Sequence, residues 1–214
     1  MRDLKHLIYF ENLLQEANND LVKQAKADGK RALGYTCYFM PEVLLDLPGC
    51  FSVRLRAPRS TSPDMATYYM SNRTCMYGRC LLERAMEGGF NFLDAQMATE
   101  TCTVTCRFQE HLQMMDVIKN PDFFCEFTDV PFKKNENSIE HFETQLQAHV
   151  LDPLKEHFGI DTSDYSFGYV AGWSQGKELS EIKDSHLTIR RAAASMIDDI
   201  EGHMKEIHLE HVEN

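Results

Sequence analysis

A chain of 214 residues with 43% hydrophobic and 26% charged side chains is long enough to bury the core of one domain and to carry additional helices. Its formal net charge of −11 argues against a nucleic-acid partner, which needs a clustered basic surface. The first ten residues mix charged and apolar side chains, unlike a signal peptide, and no apolar run approaches membrane-spanning length. We therefore expect a cytoplasmic protein with no membrane partner, whose seven cysteines are thiols or metal ligands rather than disulfides.

Three regions follow one another along the chain. Apolar residues at helical spacing predict one amphipathic helix over residues 1–30. Strand-like and helix-like runs then alternate over residues 31–160, and residues 161–214 are predicted to form a loop and a C-terminal helical extension. The alternation predicts an α/β fold with a doubly wound parallel sheet, covered by helices on both faces. The predicted strands are residues 32–40, 51–55, 92–98 and 123–130, and the predicted helices between them are 41–47, 64–71, 78–87 and 103–118.

Two short cysteine clusters indicate a metal site. Ligands bind beyond the carboxyl ends of the strands in a doubly wound sheet, and Cys37 and Cys102 fall at or just after such ends. Cys102 also lies at the start of a predicted helix, where free backbone N–H groups favour the thiolate that ligates metal. Cys75 is in a polar loop that can turn toward the same edge. Cys80 and Cys106 are candidate ligands too, although buried packing accounts for them equally well.

The spacing of these cysteines leaves the metal open. Zinc sites usually use tighter ligand pairs, although the pairs Cys75–Cys80 and Cys102–Cys106 are not excluded. A [4Fe-4S] cluster accepts thiolates from distant loops. The sequence therefore predicts either a zinc site or an iron–sulfur site at the edge of the sheet.

Most of residues 31–159 resemble the 2-hydroxyacyl-CoA dehydratase family, which includes benzoyl-CoA reductase subunits. The similarity lies in residues 34–42 (GYTCYFMPE), in residues 75–79 (CMYGR), and in Thr101 with Cys102. It continues through residues 129–131 (DVP). The resemblance implies a flavodoxin-like fold with a [4Fe-4S] cluster, and it implies that Cys75 and Cys102 are cluster ligands and that Glu42 lies near the substrate.

The resemblance also implies a reaction and its partners. Family members pair two related subunits, and a separate ATP-dependent iron–sulfur activator supplies one electron. In the dehydratases that electron produces a ketyl radical on an acyl-CoA thioester, which allows a β-proton and the 2-hydroxyl to leave. The reductases transfer electrons to an acyl-CoA instead. The resemblance therefore implies a lyase subunit, with an acyl-CoA substrate, a homologous second subunit and an activator protein.

One difference from the family leaves a second hypothesis open. Family subunits are nearly twice as long, and they take a third cluster cysteine from a second α/β domain that we do not find in this sequence. We expect a shortened member of the family, a fragment of a longer chain, or a subunit whose other half comes from another polypeptide. If the chain is whole, Cys80 and Cys106 are the candidates for the missing ligand. The alternative is a non-catalytic iron–sulfur or zinc-binding accessory protein with a shortened dehydratase fold.

A local basic cluster is a candidate site for the phosphates of coenzyme A. Three arginines lie close together in the sequence at the end of the second predicted strand, in an otherwise acidic chain: Arg54, Arg56 and Arg59. Arginine suits phosphate recognition because its guanidinium group donates two parallel hydrogen bonds. A solvated strand end with balanced charge accounts for the cluster equally well.

Overall fold

The computed structural model describes residues 5–58 and 62–162, which lie in one compact unit, Met1–Thr162. The predicted loop and C-terminal helical extension beyond residue 162 lie outside the described residues. Within the described ranges, no helix has both the length and the apolar character that a membrane crossing requires.

In the part of the chain that the structure describes, four parallel strands form the sheet. They are β1 (Arg31–Tyr35), β2 (Cys50–Arg54), β3 (Ala95–Thr99) and β4 (Phe124–Thr128), in the spatial order β2-β1-β3-β4. The chain runs from β1 outward to β2 and then returns to place β3 on the other side of β1, so the topological switch point lies between β1 and β3. This arrangement confirms the predicted α/β fold and is consistent with a flavodoxin-like doubly wound sheet.

Six α-helices accompany the strands within the described residues. They are α1 (Lys5–Leu14), α2 (Asp20–Ala27), α3 (Met76–Met86), α4 (Thr103–Met114), α5 (Glu136–Leu146) and α6 (Asp152–Phe158), and a π-helical turn, Gln147–Leu151, joins the last two. The helices α3 and α4 follow β2 and β3 and pack against each other. Both helices contribute residues to the main hydrophobic core. In this core, the rings of Phe90 and Phe108 form an edge-to-face pair with their centres 6.5 Å apart.

The prediction of one helix over residues 1–30 is wrong. The first helix ends at Leu14, and α2 begins after Asn19, whose side-chain oxygen accepts hydrogen bonds from the backbone N–H groups of Leu21 and Val22. An asparagine in this position satisfies N–H groups that have no partner inside the helix, so it favours a new helix start over a continuous helix.

Two other predicted helices are much shorter than expected. The segments predicted over residues 41–47 and 64–71 contain only the 3₁₀ turns Glu42–Leu44 and Ala66–Tyr68. Each turn buries a single residue, Leu44 or Ala66. Other residues of these segments are buried as well, including Leu45, Leu47 and Met70, but segments this short form few helical hydrogen bonds to offset the entropy cost of nucleating an α-helix.

An ionic network around one buried carboxylate holds the amino end of the sheet together. Asp94, immediately before β3, has a side chain only 4% exposed. One carboxylate oxygen accepts hydrogen bonds from the Lys26 ammonium and from the backbone N–H of Ala32 at 2.7 Å, and the other oxygen lies 3.4 Å from the Arg31 guanidinium. Asp94 therefore connects α2, β1 and β3.

Candidate metal and substrate site

Two exposed cysteines stand at the start of the two central helices. Cys75 is the N-cap residue of α3, and Cys102 is the N-cap residue of α4. These helices follow β2 and β3, so both thiols lie at the end of the sheet where parallel strands finish. Cys102 occupies the helix start that the sequence predicts.

The first turns of the two helices touch each other. A Cβ atom added to Gly78 would lie only 2.3 Å from Cγ1 of Val104, so no larger residue fits at position 78 without a shift. Gly78 is three residues beyond Cys75, and Val104 is two residues beyond Cys102. The helices α3 and α4 therefore approach each other closely within their first turns, which follow Cys75 and Cys102.

The electrostatic environment of Cys102 favours its thiolate. The backbone N–H of Thr105 contributes most to lowering the pKa of Cys102, and the N–H of Val104 and the Thr105 hydroxyl lower it further. Partial burial acts in the opposite direction and is outweighed. These N–H groups are the unpaired donors of a helix start, which stabilise a negative charge placed there.

Cys80 and Cys106 lie further along the same helices in less polar surroundings. Cys80 is buried on α3, and burial raises its pKa. Cys106 is half-buried with its sulfur 3.9 Å from the carbonyl oxygen of Thr99, and burial together with the charge of Glu100 raises its pKa. Across residues 5–58 and 62–162, no three His, Cys, Asp or Glu side chains come together to hold a metal ion. The four predicted cysteine ligands are thus not gathered in one place within those ranges.

A third thiol lies at the switch point of the sheet. Cys37 follows β1 by two residues, and its sulfur lies 3.8 Å from the hydroxyl of Thr101, which follows β3. Cys37 is half-buried. The sequence places Cys37 at the carboxyl edge of the sheet, but its approach to Thr101 depends on β1 and β3 being neighbours, which no single segment of the sequence reveals.

A cavity of about 770 Å³ opens beside this edge, along β2 and α2. Glu42 lines it, and one Glu42 carboxylate oxygen accepts a hydrogen bond from the Ser52 hydroxyl at 3.1 Å. The Tyr35 hydroxyl also donates a hydrogen bond to the Glu42 carboxylate. The pKa of Tyr35 is raised to about 12, mainly by burial and next by this hydrogen bond. The predicted catalytic carboxylate is therefore held by two hydroxyl groups in the cavity wall.

Both predicted phosphate-binding arginines also line the cavity. The Arg54 guanidinium carbon lies 4.1 Å from the centre of the Tyr38 ring, in cation–π contact. The Arg56 guanidinium donates a hydrogen bond to the carbonyl oxygen of Leu13 at 2.9 Å. Arg59, the third member of the predicted basic cluster, lies outside the described residues.

Tyr77 lies between the cavity and the thiols of Cys37 and Cys75. It lines the cavity, and its hydroxyl donates a hydrogen bond to the carbonyl oxygen of Leu55 at 3.0 Å. Burial raises the pKa of Tyr77 most, and the nearby Cys37 and Cys75 raise it further. Sequence reasoning missed this residue, although its position two residues after a candidate ligand was a signal.

Comparison with known proteins identifies the family. The family model described as 2-hydroxyglutaryl-CoA dehydratase, D-component, matches residues 37–170, which is more than half of the chain. This chain belongs to that family. An uncharacterized protein of Bacillus anthracis is 30% identical over 76 residues, which cover 35% of this chain and 12% of the relative. The dehydratase-family match spans the two N-cap cysteines, Glu42 and both cavity arginines.

Proposed function

We propose that this chain is the iron–sulfur subunit of a 2-hydroxyacyl-CoA dehydratase-type enzyme. The observation that carries the proposal is the placement of Cys75 and Cys102 as exposed N-cap residues of two touching helices, at the carboxyl end of a parallel sheet. Family membership supports a dehydratase-type subunit, and the thiol chemistry supports an iron–sulfur ligand set.

The surroundings of the two thiols fit a negatively charged iron–sulfur group. The α3 and α4 helices begin with N–H groups that have no partner inside the helix, and thiolates and cluster sulfides are acceptors for such donors. A [4Fe-4S] cluster bound there would provide one-electron chemistry for the substrate, and an ATP-dependent activator protein is the proposed source of the electron. Cys75 and Cys102 hold the group in this proposal.

Glu42 is the proposed acceptor of the substrate proton. Dehydration breaks the bond between C2 and its hydroxyl and the bond between C3 and hydrogen. Glu42 would take the proton from C3 and pass it to the departing hydroxide, so that water is released, and the single electron would return to the iron–sulfur group. The Tyr35 and Ser52 hydroxyls orient the Glu42 carboxylate toward the cavity. A carboxylate positioned in this way is suited to general-base catalysis.

Arg54, Arg56 and Tyr38 are the proposed contacts for coenzyme A. The cavity volume of about 770 Å³ is within the range typical of small-molecule sites. The two arginines bring positive charge to an acidic chain, and the 71% exposed Tyr38 ring offers a surface on which an adenine base can stack. A homologous second subunit is the proposed partner that completes the enzyme.

Titration calorimetry with a 2-hydroxyacyl-CoA thioester, on protein purified without oxygen, tests the substrate part of this proposal. We expect Arg54→Gln to weaken binding about tenfold, because it removes a charge-assisted contact to phosphate. Arg107→Gln is the matched control, since Arg107 is exposed on α4, pairs with Glu110 and does not line the cavity. Thioester binding that is absent with and without a partner subunit, in protein that holds iron, would favour the accessory-protein alternative.

A further inference from the structure

We propose that the side of the cavity formed by α2 and one face of β2 holds the acyl chain of the thioester, and that it selects an apolar 2-hydroxyacyl group over one that carries a second carboxylate. This inference rests on the proposed function, because it takes the acyl-CoA substrate as given and concerns only which acyl chain the cavity accepts. It goes beyond family membership, since the description of the matching family model names a dicarboxylic acyl group, 2-hydroxyglutaryl.

The cavity has a polar side and an apolar side because it reaches around the free edge of β2. This strand is at one edge of the described sheet, and its successive side chains point to opposite faces. Ser52 and Arg54 lie on one face, where the Ser52 hydroxyl donates its hydrogen bond to Glu42. Phe51 and Val53 lie on the other face and line the same cavity. One face therefore carries the proposed base and a proposed phosphate contact, while the other is apolar.

Helix α2 supplies the wall opposite the apolar face of β2. Leu21, Val22 and Ala25 line the cavity, and their spacing places them on one side of the helix. Val22 and Val53 belong to one hydrophobic cluster, against which Phe51 packs. Leu21 is 52% exposed, and Ala25 and Phe51 are half-buried, so a ligand can reach this apolar surface. We call these five residues the acyl pocket.

The charged groups of the cavity wall lie outside the acyl pocket. Among the described residues that line the cavity, the charged ones are Glu42, Arg54 and Arg56. Arg54 contacts the Tyr38 ring, and Arg56 donates a hydrogen bond to the Leu13 carbonyl. A carboxylate in the acyl pocket loses its hydration without gaining a cation, which is costly. An aliphatic or aromatic chain gains free energy when the same surface buries it.

Titration calorimetry with a series of thioesters, on anaerobically reconstituted chain, tests the inference. The series is CoA, 2-hydroxypropanoyl-CoA, 2-hydroxy-4-methylpentanoyl-CoA and 2-hydroxyglutaryl-CoA. Each buried carbon tightens binding about fourfold, so the methylpentanoyl thioester, with three more carbons, should bind at least about tenfold more tightly than the propanoyl thioester. The glutaryl thioester should bind at least about tenfold more weakly than the methylpentanoyl thioester.

Two substitutions on α2 test where the acyl chain lies. Leu21→Asn makes an accessible part of the wall polar and should weaken binding of the methylpentanoyl thioester about fivefold, with no change for CoA. Ala25→Leu fills the acyl pocket and should weaken the same thioester about tenfold, with no change for the propanoyl thioester. Leu14→Asn is the matched control, because Leu14 is 57% exposed on α1 and is not among the described residues that line the cavity.

The possible outcomes separate the inference from the proposed function. Equal affinities for the three thioesters, or tightest binding of the glutaryl thioester, overturn the inference and leave the acyl-CoA proposal intact. If Ala25→Leu weakens CoA and every thioester alike, the pantetheine arm of CoA occupies the pocket, and the inference is again overturned. If CoA and all thioesters fail to bind with and without a partner subunit, the proposed function itself is overturned, and this inference with it.

Discussion

The two ends of the sheet treat their reactive groups in opposite ways. At the amino end, the Asp94 carboxylate is buried and bonded to Lys26, Arg31 and a backbone N–H. At the carboxyl end, Cys75 and Cys102 are exposed N-cap residues of α3 and α4. The contrast teaches that one end satisfies its charges inside the chain and contributes stability, while the other leaves two thiols exposed at its surface.

The largest expected effect on stability comes from the amino end. Asp94→Asn removes the charge that Lys26 and Arg31 share, and we expect the free energy of unfolding to fall by about 3 kcal/mol. Urea denaturation measures this change. Asp122→Asn changes an exposed carboxylate near the start of β4 and should alter stability by less than about 0.5 kcal/mol. An Asp94→Asn effect as small as that of the control would mean that the network does not hold this end together.

A smaller effect is expected where the two helices touch. Gly78→Ala places a methyl group against Val104, and we expect it to cost about 2 kcal/mol of unfolding free energy. Val104→Ala in the same chain should return most of that loss, because it removes the methyl group that is too close. A double variant no more stable than Gly78→Ala would show that the close approach of α3 and α4 is not the cause.

The smallest effect is a difference in titration between two thiols on α4. The pKa of Cys102 is lowered and that of Cys106 is raised from the ordinary value. Cys102 should therefore become a thiolate at lower pH, so its alkylation by iodoacetamide in the metal-free chain should increase at lower pH than that of Cys106. Peptide mass spectrometry across a pH series gives both midpoints, and the reverse order would contradict the helix-start account.

Local signals in the sequence were enough for most of the fold. The alternation of strand-like and helix-like patterns predicted the parallel sheet. The residues around Thr103 alone were enough to predict that α4 begins there. The break before Asn19 was not predicted, because apolar residues at helical spacing continue across it. Local capping there overrides the longer pattern.

Contacts between distant segments account for what the sequence did not reveal at the site. The approach of Cys37 to Thr101 requires β1 and β3 to be neighbours, and strand order is not encoded in any one segment. The hydrogen bond from Ser52 to Glu42 likewise joins β2 to the 3₁₀ turn before it. Glu42 was found from the family resemblance, but the hydroxyls that hold it appear only in the folded chain.

The most direct test of the central claim is the iron and sulfide content of anaerobically reconstituted protein, with its EPR spectrum after reduction. Wild-type chain is compared with Cys75→Ser, Cys102→Ser and the buried-thiol control Cys50→Ala. We predict a reduced-cluster signal in wild type and in the control, and near-complete loss of iron in both N-cap variants. Full iron content in either N-cap variant, or none in wild type, would contradict the claim that the exposed thiols at the carboxyl end of the sheet hold the cluster.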